Sequence, residues 1–173
     1  KSPKTPVWYS LDNEPDLWGH THQRVWPKNP TYAQIFENNE QYAAAIKAVA
    51  PKALIFGPAN YGWQGFRTFQ GAPDANGRDF IDAYLQHMKG AGRRAGKRIL
   101  DVLDIHWYPE ARGDGVRICN GPDKPGTPAA RIQAPRSLWD PTYVEDSWIA
   151  ENLGKKPIML LPGINRQIAK QYP

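Results

Sequence analysis

The sequence predicts an α/β protein built of parallel βαβ units. Three observations carry that prediction. Short apolar runs rich in β-branched and aromatic residues alternate three times with stretches whose apolar residues recur every three and four positions. The segments after those runs are long, about 15, 20 and 30 residues, whereas the returns from helix to strand are mostly shorter. The composition, 40% hydrophobic and 23% charged with seven Trp, eight Tyr and five Phe, is that of a globular chain with a core and excludes a disordered or fibrous one.

The first strand is Val7-Trp8-Tyr9-Ser10-Leu11, read as buried and stopped at Asp12-Asn13-Glu14-Pro15, because proline cannot continue a central ladder. Thr31 and Gln34 form a capping box. Behind it Tyr32, Ile35, Phe36, Tyr42, Ala43, Ile46 and Val49 make the apolar stripe of a helix that runs to about Ala50, ahead of Pro51. Ala53 to Gly57 is the second strand. A second helix fits Asp79 to Lys89, with Phe80, Ile81, Tyr84, Leu85 and Met88 on one face and Gly90 and Gly92 closing it. Val102 to Tyr108 is the third strand. Between Glu110 and Asp140 lie four Gly and four Pro, which reads as a long, proline-stiffened irregular loop. Asp140 as N-cap, Pro141 at the first helical position and Gly154 just beyond predict a further helix. Ile158, Leu161, Ile164 and Ile168 predict one more, bent at Pro162.

At 173 residues the chain bounds one domain or a piece of one, short of the ~250 of a complete (β/α)₈ barrel. Its longest apolar stretches, near 53–56 and 158–161, fall far below the ~20 residues of a membrane span, so no membrane is expected as a partner. Lys plus Arg exceed Asp plus Glu by 22 − 17 = 5, a surplus that a solvated basic surface explains without nucleic acid. The densest basic run, Arg93, Arg94, Lys97 and Arg98, sits where a helix ends, which favours cations. Cys119 is alone and can form no disulfide within the chain. Residues 1–6 lack an apolar core segment, so a secretion signal has been removed or lies upstream.

Asn13-Glu14-Pro15 places a carboxyl and an amide donor at a strand end, where functional residues of parallel α/β folds gather. Alone, three such residues are more often a surface turn. Here Trp18 follows closely, and the other strand ends bring Tyr61 and Trp63, then His106, Trp107 and Tyr108. Flat apolar rings with polar edges stack on sugars while sugar hydroxyls are hydrogen-bonded, so the pattern points to a saccharide groove. His20 and His22, near Asp12 and Asp16, fall short of the three or four ligands a zinc site needs and read as structural hydrogen-bonding groups. Trp8 and Trp139 are candidate core residues.

The run Tyr9-Ser10-Leu11-Asp12-Asn13-Glu14-Pro15, with Leu17-Trp18 and His20-Thr21-His22 behind it, resembles glycoside hydrolase family 44. So, in the same order, do Phe56-Gly57-Pro58-Ala59, Leu100-Asp101-Val102-Leu103-Asp104, the run from His106 to Arg112, and Leu138-Trp139-Asp140-Pro141-Thr142-Tyr143 with Ser147-Trp148. The resemblance covers essentially the whole chain. It implies that residues 1–173 are part of a (β/α)₈ TIM barrel, about strands 4 to 6, from a secreted enzyme that hydrolyses internal β-1,4 bonds of cellulose derivatives and xyloglucan with retention. It implies Glu14 as acid/base, His106 and Tyr108 as binding residues, and no cofactor. Asn13, Trp18, Tyr61, Trp63 and Trp107 join the groove on the reading above.

The family's nucleophile is a Glu of the seventh strand, beyond a helix ending in Tyr-Tyr-Pro, and this chain ends at Gln171-Tyr172-Pro173. No residue here receives that role by the resemblance. Asp104, within a strand, and Glu110, expected in solvent or paired to Arg112, are weak substitutes. Retention needs two carboxyls ~5 to 5.5 Å apart, so the isolated chain is expected to be inactive. A non-catalytic saccharide-binding or truncated remnant is the alternative. Open barrel edges would then favour self-association.

Overall fold

The computed structural model describes residues 6–173, and most of the proline-rich lead, on which the leader-peptide reading rests, lies outside the described residues. The chain divides into two units, one running through Trp107 and taking in Gln171–Pro173, the other Tyr108–Lys170.

The first unit contains β1 (Trp8–Ser10), a 3₁₀ turn at Pro15–Leu17, α1 (Trp18–Thr21), α2 (Tyr32–Val49), β2 (Leu54–Tyr61), α3 (Gly62–Thr68), α4 (Phe80–Arg94) and β3 (Val102–His106). Its sheet has the order β1-β2-β3 and both pairings are parallel, with Ser10 opposite Phe56 and Tyr61 opposite His106. The βαβ reading holds. The core lies where α2 and α4 pack together: Phe80 stacks on Phe69 at 4.5 Å and meets Tyr32 edge-on at 4.9 Å, with Phe36 and Tyr84 closing the cluster.

The start of α2 is capped twice. Thr31 and Gln34 form the expected capping box, and Asp74, from a distant loop, accepts the amides of Tyr32 (2.9 Å) and Ala33 (3.0 Å). Gln34 N–H reaches the Thr31 hydroxyl and Ile35 N–H the Thr31 carbonyl, so the first four amides, which a helix leaves without intrahelical partners, all have acceptors. The buried stripe of α2 differs from the expected one. Tyr42 and Val49 are exposed, while Asn39 and Lys47 are buried in their stead. Asn39 donates to the Tyr84 hydroxyl at 3.0 Å. Lys47 Nζ sits 2.7 Å from both Asp101 Oδ2 and the Ala53 carbonyl, and Asp101 also accepts the Ile55 amide. Buried polar groups with complete partner sets displace apolar ones at the helix flank.

The helix α4 runs through Gly90 and Gly92 rather than ending there. Gly92 is buried, and a Cβ on it would come within 3.0 Å of the Lys97 carbonyl. The stop is Gly96, at φ +64, with the Gly96 and Lys97 amides bonded back to Arg93 and Gly92. Arg93, Arg94, Lys97 and Arg98 are exposed around this end, as expected. The expectation that β1 is buried fails. It forms one edge of the sheet, and Trp8 is 63% exposed although its ring stacks on Phe56.

The second unit replaces the expected irregular loop with defined structure. It has a hairpin of β4 (Arg112–Gly113) and β5 (Val116–Arg117), then α5 (Thr127–Gln133), a 3₁₀ turn at Ala134–Leu138, α6 (Trp148–Asn152) and α7 (Leu160–Gln171), whose last residue counts with the first unit. Asp114-Gly115 at the hairpin turn both take positive φ, the conformation two-residue hairpins require, and Asp114 accepts the Gly126 amide at 2.7 Å. Strands of two residues are too short to leave an alternation in the sequence. Asp140 does not cap a helix. It binds the Thr142 amide and hydroxyl and Arg136, contacts that hold its carboxyl down at about 2, and α6 begins instead at Ser147, whose hydroxyl accepts the Ala150 amide. Gly154, at φ +75, does lie just beyond that helix. Pro162 falls in the first turn of α7, where no backbone N–H is needed, so it demands no bend. Trp139 is 53% exposed and is not core.

Candidate active site

The site is built where the loop after β1 meets the ends of β2 and β3. Its center is Glu14, whose Oε1 lies 2.8 Å from Nδ1 of His106, the last residue of β3. Both side chains are partly buried, at 17% and 29% exposure. Glu14 adopts a left-handed backbone conformation, φ 49 and ψ 53, and Asp12 and Ala59 around it also have positive φ. Non-glycine residues pay for such angles, and a cluster of them beside a carboxyl marks a place where geometry matters more than relaxation. The loop is fastened by the Glu14 amide to the Ala59 carbonyl at 2.8 Å and the Leu11 amide to the Phe56 carbonyl at 2.8 Å. Asn13 is exposed beside Glu14, its own amide bonded to Asp12.

Behind Glu14 the chain makes a 3₁₀ turn into α1, which presents Trp18. Trp18 packs on Trp26 with ring centroids 5.2 Å apart and edge-on to His22 at 6.4 Å. The turn is held rigidly from below, since the Gly19 amide donates to Asn29 and a Cβ on Gly19 would collide with the Asn29 and Lys28 backbone. His22 Nδ1 meets the Thr21 hydroxyl at 2.8 Å, a local hydrogen bond, and His20 is exposed in the last turn of α1. Among the described residues no three His, Cys, Asp or Glu side chains come together as a metal site.

At the end of β2, Tyr61 is partly buried, and Trp63 lies in the first turn of α3 with Arg67 over its ring at 5.6 Å. Trp107, next to His106, is partly buried, and its indole Nε1 is enclosed with no hydrogen-bond partner among the described residues. Tyr108 belongs to the second unit, where it is 41% exposed. Asp104 is half-buried inside β3, opposite Pro58. Glu110, also in the second unit, is buried against Arg117 at 2.5 Å, which corrects the expectation of a solvated residue or an Arg112 pair. Arg112 instead meets Glu151 at 3.0 Å and Asp146 at 3.7 Å.

Two groups escape a reading of the sequence. Trp26 enters the ring ledge only through the folding of α1. Asp16, fully buried beneath the Glu14 loop, accepts the Tyr61 amide (2.9 Å) on one oxygen and Gln70 Nε2 (3.0 Å) on the other. Burial pushes its carboxyl above the usual aspartate range, against the lowering effect of those two donors. Gly65 leaves room for it, as a Cβ there would stand 2.5 Å from Asp16 Oδ2.

A carboxyl in hydrogen-bond contact with an imidazole at the ends of parallel strands, followed closely by a tilted pair of indoles, is the equipment for cutting glycosidic bonds, and the glycoside hydrolases are the class that fold and site define. Within it the assignment narrows: the model of glycoside hydrolase family 44 matches residues 1–111, and the chain belongs to that family. It is 47% identical over 95% of its length to Endoglucanase A of Paenibacillus lautus, and 43% identical over 95% to Beta-mannanase/endoglucanase A of Caldicellulosiruptor saccharolyticus. It spans 24% and 14% of those two proteins. Among solved structures, the family 44 endoglucanase Cel44A of Clostridium thermocellum superposes with a TM-score of 0.89 at 51% identity. A Paenibacillus polymyxa xyloglucanase of the same family, solved with xyloglucan, superposes with 0.89 at 44%. Each of these two matches covers 96% of this chain and 34% of the other.

Proposed function

We propose that this chain supplies strands 4 to 6 of a (β/α)₈ barrel in a retaining endo-β-1,4-glucanase acting on cellulose-like backbones and xyloglucan, with Glu14 as its acid/base. The observation that carries the reading is the 2.8 Å contact of Glu14 with His106 at adjoining strand ends. In the first half-reaction Glu14 gives its proton to the leaving glycosidic oxygen as a second carboxylate attacks the anomeric carbon. In the second it takes a proton from the water that releases the sugar. His106 holds the carboxyl in place between the two roles. Asn13 donates to a sugar hydroxyl, and Trp18, Tyr61, Trp63 and Trp107 line the groove. The second carboxylate comes from a seventh strand, as the resemblance implies. Family membership and relatives that are endoglucanases and a xyloglucanase support a β-glucan as substrate, and the family resemblance supports secretion as the location.

The competing reading, a saccharide-binding remnant without catalysis, draws on Glu110 being committed to Arg117 and so unsuited as a nucleophile. One experiment separates them. The segment of the Paenibacillus lautus endoglucanase that corresponds to this chain is exchanged for it, and hydrolysis of xyloglucan and carboxymethylcellulose is followed by reducing ends. Activity in the chimera, lost on Glu14→Gln, supports the hydrolase. Saccharide binding without turnover, in a chimera that folds, supports the remnant.

A further inference from the structure

Glu14 and His106 do not hold each other unaided. The Glu14 amide is bonded to Ala59, the Tyr61 amide to Asp16, and Tyr61 stands opposite His106 in the β2–β3 register. The contacts close a ring that runs from Glu14 through Pro15 to Asp16, across to Tyr61, along the sheet to His106 and back to Glu14 at 2.8 Å. Beyond the Glu14–His106 contact itself, Asp16 is the side chain in that ring that joins the loop to the sheet, and it is fully buried although an ionized carboxylate resists burial. Both of its oxygens are used, by Tyr61 N–H and by Gln70, which also donates to the Tyr61 carbonyl at 3.3 Å.

We propose that Asp16 is a positioning residue: it fixes the separation of Glu14 and His106 by locking the acid/base loop to the end of β2. The proposal rests on the reading of Glu14 as acid/base. An apolar side chain would fill the space beneath the loop at less cost, but it could not choose where the Tyr61 amide sits relative to residue 14. Gly65 shows the same demand from the other side, since the helix after β2 gives up a side chain there to admit the carboxylate. The known charges facing Asp16 are few. The charge of Glu14 acts on it only weakly and by repulsion, so the carboxylate is not retained for attraction to that neighbor.

The test reads the imidazole directly. Against ionized Glu14, which can only accept, His106 must carry its proton on Nδ1, whereas a neutral imidazole released to water favors the Nε2 tautomer. Nitrogen-15 spectra of the 173-residue protein near pH 8 are expected to show His106 in the Nδ1–H form. Asp16→Asn, which keeps the shape and removes the charge, is expected to convert most of it to Nε2–H and to speed exchange of the Glu14 amide at least tenfold. Gln70→Leu, which removes one of the two donors and leaves Asp16, is expected to give a smaller change of the same kind, and it decides the matter if Asp16→Asn does not fold. An unchanged His106 tautomer and Glu14 amide in a folded variant overturns the proposal, because a carboxylate that only supports the α3 junction would leave both alone. In the chimera described above, Asp16→Asn is expected to lower kcat with KM held, and equal losses in both would count against positioning. If Glu14→Gln leaves the chimera active, the acid/base reading fails while the nitrogen-15 result still stands or falls separately.

Discussion

Glu14 and His106, 92 residues apart in the chain, place Oε1 and Nδ1 2.8 Å from one another. Removing the carboxyl as Glu14→Gln removes the transferable proton, and turnover of the chimera is expected to fall by roughly 10²- to 10⁴-fold, the usual contribution of general acid–base catalysis. The change His106→Ala leaves the proton but frees the side chain, so a smaller loss is expected. Rates on xyloglucan that rank the two variants in the opposite order would refute this assignment of roles.

The ledge of Trp18 and Trp26 gives a second expectation. Trp18→Ala is expected to weaken binding of a xyloglucan oligosaccharide to the 173-residue chain by ~0.5 to 3 kcal/mol, the range for a buried or stacked aromatic ring. Trp107→Ala is expected to do the same, and Trp26→Ala to act through Trp18, so that the double variant Trp18→Ala/Trp26→Ala loses little more than Trp18→Ala alone. Calorimetric titration measures each. Additive losses for the two ledge residues would make them independent contacts.

Stability of the first unit leans on Lys47 and Asp101, whose side chains are 7% and 17% exposed and meet at 2.7 Å. Lys47→Met strands a carboxylate beside the Ile55 amide and leaves the Ala53 carbonyl without its donor, and is expected to cost about 3 to 5 kcal/mol. Adding Asp101→Leu should restore part of that loss. Urea midpoints of the single and double variants decide it.

Two carboxylates are expected to pull the acid limb of stability in opposite directions. Hydrogen bonds from Arg94, then from His87, hold Glu40 below its ordinary 4.5, so its contribution is present above that value and is lost as pH falls through the lowered one. Burial raises Asp16 above its ordinary 3.8, so ionizing it costs stability, and that cost is relieved as pH falls. Glu40→Gln should therefore flatten the loss of stability on acidification, and Asp16→Asn should steepen it, in urea titrations repeated across that range.

As a separate polypeptide the chain is expected to self-associate. The outer edge of β1 carries Trp8 at 63% exposure with Val7 and Tyr9 beside it, and an unpaired edge of this kind recruits another strand. A monodisperse 19.5 kDa species in light scattering would contradict this expectation.

What the sequence disclosed follows from range. The capping box at Thr31 and Gln34 and the three parallel strands rest on neighbors within a few residues, and both were legible. Glu14 announced itself because a motif at a strand end is a local signal. Asp16 did not, because what makes it matter is the Tyr61 amide 45 residues onward and the gap left by Gly65. Asn39 and Lys47 stand outside the apolar stripe the sequence marks on α2, because their burial depends on Tyr84 and Asp101, which are distant in the chain. The mistaken helix stops have the same origin: Gly90, Gly92 and Gly96 are alike in sequence, and only backbone conformation and crowding separate them.

The doubly capped start of α2 bears on the order in which the molecule comes apart. With the Tyr32, Ala33, Gln34 and Ile35 amides all engaged, the N-terminal end of this helix has no loose amide to fray from, and opening it there requires Asp74 and its loop to leave as well. Because Tyr32, whose amide Asp74 holds, also packs edge-on against Phe80, opening this end of α2 is tied to the aromatic core rather than free of it.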